Sequence, residues 1–147
     1  MKCPFCRSKQ TEVYNTRATK FATQLWRRRR CLSCHEAFTT YEAVDLGFIH
    51  IKAQDGSQRS YSRARLYSAI AAAFEPAKST STTVDAVTDT VESKLLDLKT
   101  PIITPEQIAT IILTTLKHFD TPAFLRYLAS HADLRSKSEL KRQLRNY

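Results

Sequence analysis

Cys3-Pro4-Phe5-Cys6 and Cys31-Leu32-Ser33-Cys34 are two Cys-x2-Cys pairs with 24 residues between them. Two intervening residues let each pair turn tightly enough for both sulfurs to reach one ion at about 2.3 Å, and four thiolates complete a tetrahedral shell. The spacing therefore predicts a zinc ribbon holding one Zn2+ per chain through Cys3, Cys6, Cys31 and Cys34. A closed shell has no position for an activated water, so this zinc is expected to be structural. The competing readings are a redox dithiol or disulfides. A redox Cys-x2-Cys opens a helix after a buried strand, which neither stretch resembles. Disulfides fit poorly with a chain whose first residues, Met1-Lys2-Cys3-Pro4, lack the apolar core of an export signal. His35 is an alternative ligand that four cysteines make unnecessary. Arg7 follows Cys6 where glycine often sits, which predicts a slightly strained turn or a projecting cation.

Between the pairs lie Thr11-Glu12-Val13-Tyr14-Asn15-Thr16-Arg17 and Gln24-Leu25-Trp26-Arg27-Arg28-Arg29-Arg30, both suited to ribbon strands. In an extended chain Trp26, Arg28 and Arg30 point to one face, and Arg27 and Arg29 to the other. Residues 1–47 carry a formal charge of +5 before any metal thiolates are counted. A solvated basic strand would account for this. Arginine's planar fork, however, matches phosphate and guanine edges, so Arg17, Arg27, Arg28, Arg29 and Arg30 are the candidate nucleic-acid-contacting residues, with DNA binding implied only by the resemblance given below.

The 147 residues are 42% apolar, enough for a real core. No apolar run approaches the roughly 18 residues that a membrane span needs, so no membrane association and a cytoplasmic location are expected. The formal net charge of +9 favours a polyanionic partner, nucleic acid first.

Cys-Pro-Phe-Cys at the N-terminus, Val13-Tyr14-Asn15-Thr16-Arg17, the Arg27–Arg30 run before Cys31, and Phe38-Thr39-Thr40-Tyr41-Glu42 resemble, in order and spacing, the NrdR family of bacterial transcriptional repressors. The family pattern has Asp-Ser-Arg where this chain has Asn15-Thr16-Arg17, which keeps the arginine. The resemblance implies a ribbon that binds double-stranded DNA upstream of ribonucleotide reductase operons, and a following ATP cone that senses ATP and dATP.

The remainder reads independently as a hairpin followed by helices. Ile49–Gln54 and Ser57–Tyr61 flank Asp55-Gly56, a strong turn signal. In Ser62–Phe74, the residues Leu66, Ile70, Ala73 and Phe74 share a helical face that stops before Pro76. Val84, Val87, Val91, Leu95 and Leu98 repeat at helical spacing. Thr104-Pro105-Glu106-Gln107 is a capping box leading a stripe of Ile108, Ile111, Ile112, Thr115 and Leu116. Thr121 is expected to cap a helix to about Ala132 with Phe124, Leu125 and Leu128 apolar, and Ser136–Glu139 to box a basic terminal helix.

A hairpin followed by helices is similar to an ATP cone, and Asp55-Gly56, Tyr61, Arg63-Ala64-Arg65-Leu66 and Arg126-Tyr127 match positions of that family. Ala53 stands where many cones carry lysine, and Pro76-Ala77-Lys78 replaces Lys-Arg-Pro. The resemblance implies Lys52, Asp55, Arg63, Arg65 and Lys78 as nucleotide-binding candidates. The fold class is therefore α+β. Its parts are a zinc ribbon of short antiparallel strands (1–47), a mainly helical ATP-cone-like domain with a β-hairpin for nucleotide sensing and oligomerisation (48–134), and a basic C-terminal helix or tail (135–147).

Residues 48–134 are formally neutral, and 135–147 carry +4, read as a solvated tail. No histidine is placed by sequence beside a nucleophile or acid, so no enzyme is expected. The function expected is a zinc-dependent DNA-binding repressor, regulated by ATP or dATP and acting as a homo-oligomer on paired half-sites. A ribbon that binds RNA or protein beside a degenerate, purely structural cone is the alternative, and an accessory domain detached from a reductase is a third.

Overall fold

The computed structural model describes residues 1–18, 24–75 and 80–131, together with Lys141 and Arg145. The chain divides into two compact units, Met1–Asp45 and Leu46–Tyr147. The Pro76-Ala77-Lys78 stretch and most of the expected terminal helix lie outside the described residues; Lys141 and Arg145 are helical and exposed.

The first unit is an antiparallel sheet of β1 (Thr11–Ala18), β2 (Gln24–Cys31) and β3 (Ala37–Ala43) in sequence order. Its two Cys-x2-Cys turns repeat one backbone pattern. Arg7 N–H donates to the Cys3 carbonyl and Cys3 N–H to that of Ser8, while His35 N–H donates to Cys31 and Cys31 N–H to Glu36. Each turn closes on a left-handed residue, Arg7 and His35, both at φ 62°. For a residue with a Cβ that conformation costs about 1 kcal/mol. The strain expected at Arg7 is thus present, and His35 repeats it. Among the described residues, the buried core here is Cys3, Cys31 and Phe38.

In the second unit β4 (His50–Lys52) pairs antiparallel with β5 (Gln58–Ser60) across the Asp55-Gly56 turn, where Gly56 takes φ 84°. Asp55 Oδ1 accepts from Ser57 N–H at 2.9 Å and from its hydroxyl at 2.6 Å, which fixes the turn. The helices are α1 (Arg63–Ala71), α2 (Ser81–Asp97), α3 (Pro105–Phe119) and α4 (Thr121–His131). Before α3, the two-residue strand β6 (Ile102–Ile103) pairs parallel with β4. A strand this short leaves no alternation to read, so it has no signature in the sequence.

The Thr104–Gln107 capping box forms as expected, with Thr104 Oγ1 accepting from Gln107 N–H and Gln107 Oε1 from Thr104 N–H. Asp120, and not Thr121, caps α4: its Oδ1 accepts from Ala123 N–H at 2.7 Å. A carboxylate in that position also favours the positive end of the helix. Val84, Val87, Val91 and Leu95 of α2, and Ile112 and Leu116 of α3, are buried with Ile70, Phe124 and Leu128. Leu98 and Leu125, assigned to the apolar stripes from spacing, are instead exposed; Tyr127 is buried on α4.

Candidate metal centre, arginine face and cavity

The two turns bring the sulfurs of Cys3, Cys6, Cys31 and Cys34 within 4.8 Å of one another. Cys3 and Cys34 Sγ are 3.7 Å apart and Cys6 and Cys31 Sγ 3.5 Å. Tetrahedral zinc with four sulfurs at 2.3 Å separates them by about 3.8 Å, so the donor set fits the ion. The backbone supports thiolates: Phe5 N–H points at Cys3 Sγ and Ser33 N–H at Cys31 Sγ, each at 3.4 Å. The N–H of Cys34, and against burial that of Ser33, draw the Cys31 thiol down to about 6. At Cys34 the Glu36 N–H favours the thiolate, but burial and the sulfurs of Cys6, Cys31 and Cys3 outweigh it and push the thiol up to about 12. Sulfurs this close cannot all ionise unless a cation joins them.

On β2 the arginines divide between two faces, as alternation requires. On one, Arg27 Nη2 lies 2.7 Å from Glu42 Oε2, and Arg29 Nε donates to Thr40 Oγ1 at 3.2 Å. Arg27 Nε is buried without a hydrogen-bond partner. On the other, Arg28 Nη1 donates to Thr39 Oγ1 at 2.9 Å and Nε to the Tyr14 hydroxyl at 3.3 Å. Arg30 lies over the Tyr14 ring at 5.2 Å and Arg17 over the Trp26 ring at 5.8 Å. These partners of Arg17, Arg28 and Arg30 are uncharged, so they orient the guanidinium groups without cancelling their charge.

The second unit holds a cavity of about 280 Å³. Ile51, Leu66, Ile108 and Ile112 give it apolar walls, and Arg59 and Arg65 bring cations to it. Tyr127 and His131, stacked at 3.9 Å, also line it.

Both halves of the chain match known families. A model described as the N-terminal domain of NrdR-like transcriptional repressors matches residues 1–42, and the ATP cone domain matches residues 49–137. Among proteins named Transcriptional repressor NrdR, the one from Polynucleobacter necessarius is 34% identical in an alignment of 148 positions that covers 99% of this chain and the whole of that relative. The chain belongs to the NrdR family of transcriptional repressors. Similar repressors occur in Aromatoleum aromaticum, 31% identical over 99% of this chain and 85% of the relative, and in Cupriavidus necator, 32% identical over 96% and 91%. These NrdR relatives are named as regulators, and the chain is a regulator and not an enzyme. Zinc ribbon and ATP cone fit a DNA-binding, zinc-holding, nucleotide-regulated repressor. No described helix is long and apolar enough to cross a membrane.

Within this NrdR cone the nucleotide candidates separate. Arg65 lines the cavity, whereas Lys52 and Asp55 are exposed on the hairpin and absent from its lining. Arg63 is drawn to α2, pairing with Glu92, with Asp89 at 2.8 Å and with Asp85 at 3.4 Å. Tyr61 donates its hydroxyl to Glu92 at 2.7 Å. Desolvation lowers the Arg63 guanidinium pKa, but Glu92 and Asp89 together outweigh it and leave that pKa raised. Lys78 lies outside the described residues. Arg126 contacts the Ala73 carbonyl at 3.3 Å and Glu75 at 3.6 Å, while its neighbour Tyr127 faces the cavity. Arg59, two residues before the matched Tyr61, and His131 are not among the sequence candidates; for His131 the available signal was its four-residue helical spacing from Tyr127, on which it stacks.

Proposed function

We propose that the protein is a zinc-dependent repressor of ribonucleotide reductase genes, in which Cys3, Cys6, Cys31 and Cys34 hold one structural zinc and the ribbon arginines contact operator DNA. The observation that carries this reading is the guanidinium array of β1 and β2 beside the four-cysteine centre. Arg17, Arg28, Arg29 and Arg30 take the phosphate and base-edge contacts. Arg27, bound to Glu42, contributes less than the sequence pattern suggested.

Replacing Arg28, Arg29 and Arg30 by alanine should abolish operator binding. Each lost phosphate contact should lower the slope of log K against log salt by about 0.9. Unchanged affinity and slope would refute the assignment.

ATP or dATP enters the cone cavity, with Arg65 and Arg59 toward the phosphates and the aliphatic wall against the base. The volume is near the lower end of ordinary ligand sites, about 300 Å³. Lys52 and Asp55 shape the hairpin beside it, and Arg63 braces α1 against α2. Calorimetry should detect ATP and dATP and show about tenfold weaker binding in Arg65→Ala. No binding at millimolar concentration would leave a degenerate cone retained for assembly, the reading that Ala53 and the committed Arg63 favour.

A single ribbon is too small for operator-level specificity, since small modules bury only about 600–1,000 Å² on DNA. Cytoplasmic homo-oligomers joined through the formally neutral cone would place two ribbons on half-sites near whole turns apart. Nucleotide regulates by favouring one assembly over another. Footprinting with the spacing altered by about five base pairs, half a turn, should abolish paired protection. Indifference to that shift would exclude paired binding.

A further inference from the structure

Tyr14 stands at an irregularity of β1. Val13 pairs with Arg29 and Asn15 with Arg28, so Tyr14 is the extra residue of a β-bulge and faces no residue of its own on β2. A bulge re-aims a side chain that strict alternation would send elsewhere. Here it brings one half-exposed aromatic to two arginines of the same face: the hydroxyl accepts from Arg28 Nε at 3.3 Å, and the ring lies 5.2 Å from the Arg30 guanidinium. Thr39 fixes Arg28 from the β3 side at 2.9 Å.

We propose that Tyr14 is a positioning residue for DNA binding, holding Arg28 and Arg30 in the geometry that contacts DNA. This inference rests on the reading of those arginines as DNA contacts. Free arginine side chains lose much rotameric freedom on binding, and partners already fixing them in the free protein reduce that loss. The two contacts are chemically separable. Tyr14→Phe removes the acceptor for Arg28 and keeps the ring under Arg30; Tyr14→Leu removes both. Neither changes formal charge, so neither should alter the number of phosphates neutralised by the chain.

Operator and random-sequence DNA affinities measured across salt concentrations, with zinc content checked, test the proposal on the full chain. The expected loss of operator affinity is about threefold for Tyr14→Phe and about tenfold for Tyr14→Leu, at full zinc content and with the salt slope kept. Arg28→Ala and Arg30→Ala should weaken binding and lower the slope by about 0.9 each. If these two variants bind as wild type, the DNA-contact reading itself fails. If they weaken while Tyr14→Leu binds as wild type, or if Tyr14→Leu loses zinc, the positioning role is overturned and Tyr14 is idle or merely structural.

Discussion

The two units are held together by different physics. Among the described residues the ribbon buries three side chains, two of them cysteines, whereas twenty residues form the continuous core of the cone. The cone can therefore draw on hydrophobic burial, at about 25 cal/mol per Å² of apolar surface. The ribbon has a hydrogen-bonded sheet, two strained turns and a cluster of thiols that cannot all ionise without a cation. The contrast teaches that the arginine-bearing unit can present charge on both faces because metal ligation, and not a large core, is expected to hold it.

Zinc removal should separate the two units most strongly. Structural zinc contributes roughly 10–16 kcal/mol of apparent binding energy in small ribbons and fingers. Chelation, or Cys31→Ser, should abolish DNA binding and release the metal, while the helical circular dichroism of the cone persists. Metal analysis and far-ultraviolet spectra check both halves; a Cys31→Ser chain with full zinc and a folded ribbon would overturn the ligand set.

The reciprocal change is Leu116→Ala, at a fully buried position of α3. It should lower the cone's stability to urea by about 2–5 kcal/mol. Zinc stoichiometry should remain at one per chain.

Tyr61→Phe sharpens the picture inside the cone. Desolvation first, then the hydrogen bond and charge of Glu92, raise the Tyr61 pKa above its ordinary value, with Arg63 opposing. A raised folded pKa contributes stability that is fully present below the unfolded value of about 10 and is lost as pH rises beyond it. Removing the hydroxyl should cost about 1 kcal/mol at neutral pH and reduce the alkaline loss, read from denaturation midpoints across pH.

The smallest effect is expected for Glu42→Gln on the ribbon. The Arg27 pair is partly exposed, so stability should change by about 0.5 kcal/mol or less. Affinity for random DNA should rise, because the charge of Arg27 is no longer offset. A fall would show that Glu42 organises the DNA face instead of restraining it.

Features that follow from spacing and local chemistry were legible in the chain alone. Cys-x2-Cys repeated across 24 residues specified the four-sulfur cluster, because two residues between ligands leave a short turn few alternatives. Asp55-Gly56 marked the hairpin and Thr104-Pro105-Glu106-Gln107 the start of α3, since both interactions lie within four residues. Alternation divided the arginines of β2 correctly between two faces. Which of those charges meets a carboxylate depends on folding, because Arg27 and Glu42 lie on different strands brought together by register. Folding also decided that Tyr14 joins Arg28 and Arg30, since a bulge interrupts the alternation from which faces are read. The cone shows the same limit: Arg63 and Arg65, two residues apart, point to different surroundings, one to α2 and one to the cavity. Neighbours at that spacing lie on different sides of a helix, and what each meets is set by distant segments packed against it.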